Sequence, residues 1–251
     1  MPTKQIHELP AAGALDPADR IVVSTASGNL TRRGTLADLP VRAVTAGQAR
    51  RLAEKLAETV SVKDYGAVGD GVADDAPAFQ AALDANAVRC VHVPPGTYRL
   101  GSTIHVAPGR RISGAGRDIT LIRAEGALAF HFHRNEGTWT VDPGATNDWN
   151  RSSLHDLTIA MATGGIKVHG HEFFADRLRF RGGQPTGWCI ELEDSNECSL
   201  REIAAGTGGG ANDLDANGIW LWAGNAINYG DGLLEEISIK LKRSGTVGIK
   251  I

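Results

Sequence analysis

Residues 62–83 read VKDYGAVGDGVADDAPAFQAAL. Gly66, Gly69 and Gly71 lie between a short apolar run and a run with helical spacing, and Asp74 and Asp75 stand just before the latter. Glycines at such a junction raise the question of a phosphate loop. The order here is GxxGxG instead of GxGxxG, and no GKS or GKT follows, so neither nucleotide fingerprint fits. A calcium loop of the EF-hand type fits no better. Counted from Asp64, such a loop has Gly66 and Val68 where oxygen ligands are needed; counted from Asp70, it has Val72 third and Ala81 last. The remaining reading is a structural start signal. The glycines let the chain turn tightly, and Asp74 or Asp75 satisfies the free N–H groups of a helix over 76–86.

Downstream of this stretch the chain reads as strands. RCVHV (89–93) is followed by a turn at Pro94-Pro95-Gly96, then by strands at 98–100 and 102–106, and a turn at 113–116 leads into ITLIRA. Beyond residue 150 short alternating runs recur: LHDLTI, GIKVHG, ADRLRF, WCIELE, SLREI, GIWLW, EEISIKL and GIKI. Leu157 and Leu178 are 21 residues apart, Ile166 and Ile190 24, and Ile219 and Ile249 30. Imperfect repeats of this length built from strands define an all-β solenoid. Insertions such as AAGTGGGANDLDAN map to loops between coils.

Upstream, residues 1–40 read as a small separate unit. It has a turn at Asp16-Pro17, a strand at 20–24, a turn at Ser27-Gly28-Asn29 and a short strand at 30–33. Residues 45–59, TAGQARRLAEKLAET, carry helical spacing, with Thr45 as N-cap and Gln48 at the capping-box position. Its apolar stripe, Ala49, Leu52 and Leu56, is thin, so this helix requires a partner. The expected organisation is a module over 1–40, a neck helix over 41–60 and a solenoid over 61–251.

Composition narrows the function classes. The 251 residues carry a net charge of −3, and Arg32-Arg33, Arg50-Arg51 and Arg110-Arg111 are isolated clusters, which argues against a nucleic-acid partner. Cys90, Cys189 and Cys198 are odd in number and widely spaced, unlike a disulfide framework or a zinc ribbon. No apolar run is long enough to insert in a membrane. The opening MPTKQIHELPAAG has no basic segment leading into an apolar core, so no secretory signal is expected.

VSVKDYGAVGDGVADDAPAFQAALDA, VHVPPGTYRL and RRISGAGRDITLIRA together resemble the opening of the pectate-lyase-superfamily β-helix domain, which recurs in bacteriophage tailspikes and related polysaccharide-degrading proteins. The resemblance is close over about residues 60–125 and is one of pattern beyond. It implies a right-handed parallel β-helix whose start is capped by the helix near 76–86. Gly66, Gly69, Gly71, Asp74 and Asp75 are then residues of a structural cap and not of an active site. IHELPAAGALDPADRIVVSTASGNLTRRGTLADL in turn resembles the virion-attachment end of phage tail fibres and tailspikes. That likeness implies a homotrimer held to tail or baseplate proteins, assembled in the host cytoplasm and carried on the virion, with bacterial surface polysaccharide as its partner. Two functions follow, attachment and depolymerisation by a hydrolase or lyase; a free bacterial polysaccharide enzyme is a third. Family tailspikes continue for more coils than this sequence shows, so the expected catalytic groove lies partly beyond residue 251 and the chain alone is expected to be weakly active.

Alternation sorts the candidate residues. With Ile166 and Val168, Ile190 and Leu192, and Ile219 and Leu221 pointing in, two outward rows form: Lys167, Glu191 and Trp220, then His169, Glu193 and Trp222. Indole faces beside carboxylates suit a sugar-binding face, and Trp220, Trp222, Glu191 and Glu193 are the carbohydrate-binding candidates. Burial of both tryptophans against another chain or a loop is the alternative. Candidate acid pairs are Glu191 with Glu193, Asp213 with Asp215, and Asp231 with Glu235; no pair is singled out as catalytic. His131 and His133, and His169 and His171, each place two imidazoles near one another, but no further ligand joins them at recognisable spacing. No metal and no cofactor is expected.

Overall fold

The computed structural model describes residues 21–23, 32–34, 40–41, 50–51, 54, 59–85, 89–133, 150–193, 195, 197–206, 216–222, 233–239 and 247–250. The chain forms two compact units, residues 1–58 and 59–251.

In the first unit, Ile21–Val23 pairs antiparallel with Arg32–Gly34, the hairpin expected from the sequence. Pro40–Val41 pairs antiparallel with Arg50–Arg51. Those two arginines therefore do not belong to the helix expected over 45–59. The Arg51 N–H donates to Glu54 Oε2 at 3.3 Å, the geometry of an N-cap residue and its third-position acid, and Glu54 is helical. The rest of the expected helix through residue 58, Thr45 included, lies outside the described residues. The turns at Asp16-Pro17 and Ser27-Gly28-Asn29, and the stripe Ala49, Leu52 and Leu56, lie outside the described residues.

The second unit is a parallel β-solenoid. Every described strand pair within it is parallel. Each early coil has three strands: Cys90–Val93, Gly96–Leu100 and Ile104–Val106, then Arg111–Gly114, Thr120–Ala124 and Phe130–Phe132. In later coils the first two merge, as Ser153–Met161, Phe174–Gly182 and Ser199–Ala205, and the third is Ile166–His169, Trp188–Glu193 and Asn217–Trp222. The merged strands build a long sheet, and the third strands build a six-stranded one ending at Ile249–Lys250. The repeat spacings are the coil registers: Leu157 sits opposite Leu178, Ile166 opposite Ile190, and Ile219 opposite Ile249.

The corners inside the merged strands had no signal in the sequence. Asp156, Arg177, Glu202 and Glu236 all have φ between 50 and 58°. They stack coil upon coil at one bend. A second stack, Arg151, Glu172 and Glu197, turns an earlier corner with φ from 49 to 60°. Left-handed backbone at residues with a Cβ is costly. Arg177 and Asp156 pair at 2.6 Å across the first corner, and Arg151 and Glu172 at 2.7 Å across the second.

Inward residues stack in rows. Ile112, Leu154, Ala175 and Leu200 form one; Ile104, Phe130, Ile166, Ile190 and Ile219 form another; all are buried. Each fully buried large side chain contributes about 1.5–3 kcal/mol, and the rows bury them without interruption.

The start of the solenoid is built by the quoted stretch. Ser61 and Asp64 form a capping box around a single 3₁₀ turn, Val62–Tyr65, which Gly66 closes at φ 97°. Gly69, at φ 74°, lies against the Tyr98 ring, where a Cβ would approach the ring to 2.8 Å. Helix α1, Ala76–Asp84, buries Ala76, Phe79, Ala82 and Leu83, with Phe79 edge-on to Tyr98 at 5.4 Å. Of the two aspartates, Asp74 is the one that reaches the helix, accepting from Ala76 N–H at 3.1 Å and from Gly101 N–H at 2.9 Å. Asp75 holds the helix N-cap position but makes no side-chain cap bond there. Buried, it turns back to the glycine loop and accepts from Val68 and Gly69 N–H at 2.6 and 3.2 Å. Its carboxylate thus ties the loop to the helix start.

Candidate functional site

The outward face of the six-stranded sheet carries the candidate site. Alternation places its residues: Ile166, Val168, Ile190, Leu192 and Ile219 are buried, so Lys167, His169, Glu191, Glu193 and Trp220 face out. Register then stacks them. Lys167 is opposite Glu191 and His169 opposite Glu193. Glu191 is opposite Trp220 and Glu193 opposite Trp222. Both rows expected from the sequence are present, and the first extends at both ends. Trp220 continues to Lys250, and Lys167 continues back through His131 to His105.

Glu193 is held from two sides. Lys167 Nζ and His169 Nε2 each lie 2.7 Å from its Oε2. Lys167 is also 3.9 Å from Glu191 Oε2. Burial is the largest influence on Glu191; it pushes that carboxyl above its ordinary range, and the neighbouring Glu193 adds to this against the pull of Lys167. Lys167, Glu191, Leu192, Glu193 and Trp220 line a cleft of about 60 Å³. Trp220 is half-buried, packs on Trp188 at 5.5 Å, and carries the Lys250 ammonium over its ring at 4.8 Å. One face of the indole is therefore shared with a cation. Trp222 is placed by register alone.

Further up the same face the fold gathers histidines that the sequence left as separate pairs. His105 stands opposite His131, and its Nδ1 lies 2.8 Å from His133 Nε2. The His131 and His133 rings are 4.0 Å apart, and His131 and His169 are 5.4 Å apart. Burial is the main cause that lowers His131 to about 3 and His133 to about 4, with the neighbouring histidines adding to both. Sequence reading missed His105 because its partners come from the next coil.

The long sheet has a different outward face. Arg111, His155, Phe174, Asp176, Arg201 and Glu235 are among the residues lining a groove of about 370 Å³. Glu235 therefore belongs to this face; Asp231, Asp213 and Asp215 lie outside the described residues. Cys90, Cys189 and Cys198 form no disulfide, and the last two are buried. No described helix is long and apolar enough to cross a membrane.

A parallel solenoid opened by the glycine–helix stretch, with a polar row running along one outer face, defines a class, and comparison with known proteins shows what it resembles. Residues 59–152 match the family model "Rhamnogalacturonase A/epimerase, pectate lyase-like". Over that segment the chain is similar to pectate lyase-like β-helix proteins. Among curated proteins, it is 40% identical over 73 residues to the mannuronan C5-epimerase AlgE6 of Azotobacter vinelandii, covering 25% of this chain and 8% of that protein. It is 29% identical over 194 residues to the putative phage-related protein YobO of Bacillus subtilis, covering 72% of this chain and 22% of that one. The chain thus spans less than a quarter of either relative's length. Among solved structures, a variant tailspike protein of E. coli bacteriophage HK620 in complex with a hexasaccharide shares the fold, with a TM-score of 0.57, 16% identity, and coverage of 75% of this chain and 38% of the tailspike.

Proposed function

We propose that the solenoid is a carbohydrate-acting module that binds a bacterial surface polysaccharide along the outward face of the six-stranded sheet and cleaves it there. The observation that carries this reading is the pair of unequal carboxyls. Glu193 is fixed by Lys167 and His169, while the neighbouring Glu191 is pushed toward holding its proton. Two acids with environments this different are what general acid–base chemistry needs. Glu191 donates a proton to the glycosidic oxygen; Glu193, with His169, accepts one from water or from the sugar; Lys167 faces the developing negative charge. Trp220 supplies an apolar platform at the end of the row. The likeness to an epimerase acting on mannuronan and to a tailspike holding a hexasaccharide supports a glycan as the ligand. The test is to incubate the chain with bacterial surface polysaccharides and measure new reducing ends or unsaturated-sugar absorbance. Cleavage lost in Glu191→Gln with glycan binding retained supports the reading; cleavage unchanged in that variant refutes it.

A second reading, host attachment as part of a phage tailspike, is favoured by the separate compact unit at residues 1–58. On this reading that unit contains the virion-attachment module, the stretch up to residue 60 is a neck, the chains form a homotrimer on the tail, and α1 caps a right-handed helix. Light scattering showing three chains per particle supports it, and a monomer counts against it.

A further inference from the structure

We propose that His105, His131 and His133 form a three-imidazole site for a divalent transition-metal ion of the zinc class. One ring nitrogen from each lies within 4.8 Å of the others. A tetrahedral ion with bonds of about 2.05 Å sets its ligand nitrogens about 3.3 Å apart. The His105–His133 contact of 2.8 Å is that of two nitrogens sharing a proton. An ion replacing that proton needs the pair to part by about half an ångström, a small ring rotation.

The site is held by its surroundings. Gln80 on α1 clamps the His105 main chain from both sides: its Oε1 accepts from His105 N–H at 2.9 Å and its Nε2 donates to His105 O at 2.9 Å. Asn150, fully buried, donates to His133 O at 3.2 Å and to His169 O at 2.9 Å. Inward Ile104, Val106, Phe130 and Phe132 fix the strands that present His105 and His131 outward.

Ligand chemistry selects the ion. Three imidazoles suit zinc, copper or nickel, whereas calcium and magnesium require oxygen. Lys167, opposite His131, directs its ammonium away to Glu193. Because the face is outward and His105 is exposed, a fourth position opens to solvent, for water or a ligand oxygen. The proposal stands apart from glycan cleavage and is tested without it.

The experiment is titration of the chelator-treated full chain with Co(II), followed by its visible absorption, and with Zn(II) by competition. One Co(II) per chain with four-coordinate bands is expected. His105→Gln and His131→Gln should each weaken binding by at least about 100-fold, more than changes to outer-shell groups usually do. His92→Gln, on the long sheet with its ring on Ser113 O, should leave it unchanged. If the variants do not fold, X-ray absorption of the zinc-loaded wild type counts the imidazoles, and three are expected. Binding no weaker in folded His131→Gln, or a zinc shell without imidazoles, overturns the proposal.

Discussion

The two outward faces of this solenoid share one pleat and one set of coils, yet they dispose of charge in opposite ways. On the long sheet, acids and arginines alternate from coil to coil. Asp156 meets Arg177 at 2.6 Å, Arg177 also meets Asp176, and Asp176 meets Arg201 at 3.3 Å. Each of these four residues has an opposite charge beside it. On the six-stranded sheet, like groups collect: imidazoles at the early coils, then Lys167, then Glu191 and Glu193, then Trp220 and Lys250. That arrangement leaves a carboxyl raised and two imidazoles kept neutral. Burial lowers His155 on the long sheet as well, so what sets the six-stranded face apart is a raised acid beside a paired one, the pattern of a candidate site.

The largest effect that separates the faces is on turnover. Glu191→Gln should reduce glycan cleavage by about 100-fold or more, the scale of one lost proton-transfer group. Arg201→Ala, in the groove of the other face, should leave it within about twofold on the same argument. Exchange of these outcomes would exchange the faces. Glu191 also fixes the pH profile. As the proton donor it must be protonated, so cleavage should fall as pH rises through its raised pKa, and Glu191→Asp should shift that limb.

A change in the shared interior should move neither face selectively. The Tyr98 hydroxyl donates to Pro94 O at 3.0 Å, its side chain is fully buried, and burial is the main cause that raises it to about 12. The folded value lies above the unfolded one. The stabilisation is therefore complete below pH 10 and is lost as pH rises from 10 to about 12, by roughly 2–3 kcal/mol. Denaturant titrations of Tyr98→Phe should lack this alkaline slope and show a loss of about 1 kcal/mol at neutral pH.

Smaller again is the cost of breaking the neutralised face. Arg177 is 38% exposed, so Arg177→Ala should cost about 1 kcal/mol in chemical denaturation, with cleavage unchanged. The smallest effect is at Lys250. Removing its ammonium from the Trp220 ring in Lys250→Ala should cost about 0.5 kcal/mol, and iodide should then quench tryptophan fluorescence more strongly.

The strands and outward rows were legible because alternation and coil spacing act along the chain. Leu157 with Leu178, and Lys167 with Glu191 and Trp220, followed from counting. The corners were not, because Asp156, Arg177 and Glu202 turn with φ near 50–58° where only glycine would have announced a turn. The roles of Asp74 and Asp75 could not be divided in advance, since adjacent carboxylates are equally placed to cap and only the fold sends Asp75 back to Val68 and Gly69. His105 was invisible beside His131 and His133, being 26 residues from the nearer one and joined to it only by coil register.

On the proposed function, the sorted face, and not the neutralised one, meets the glycan. The most direct measurement is a crystal structure of the Glu191→Gln chain with a bound oligosaccharide that the wild type cleaves. Sugar rings are expected to run along Lys167, Glu193 and Trp220, with the glycosidic oxygen at the residue 191 side chain. Sugar seated instead in the groove of Arg111, Asp176, Arg201 and Glu235 would contradict the proposed function.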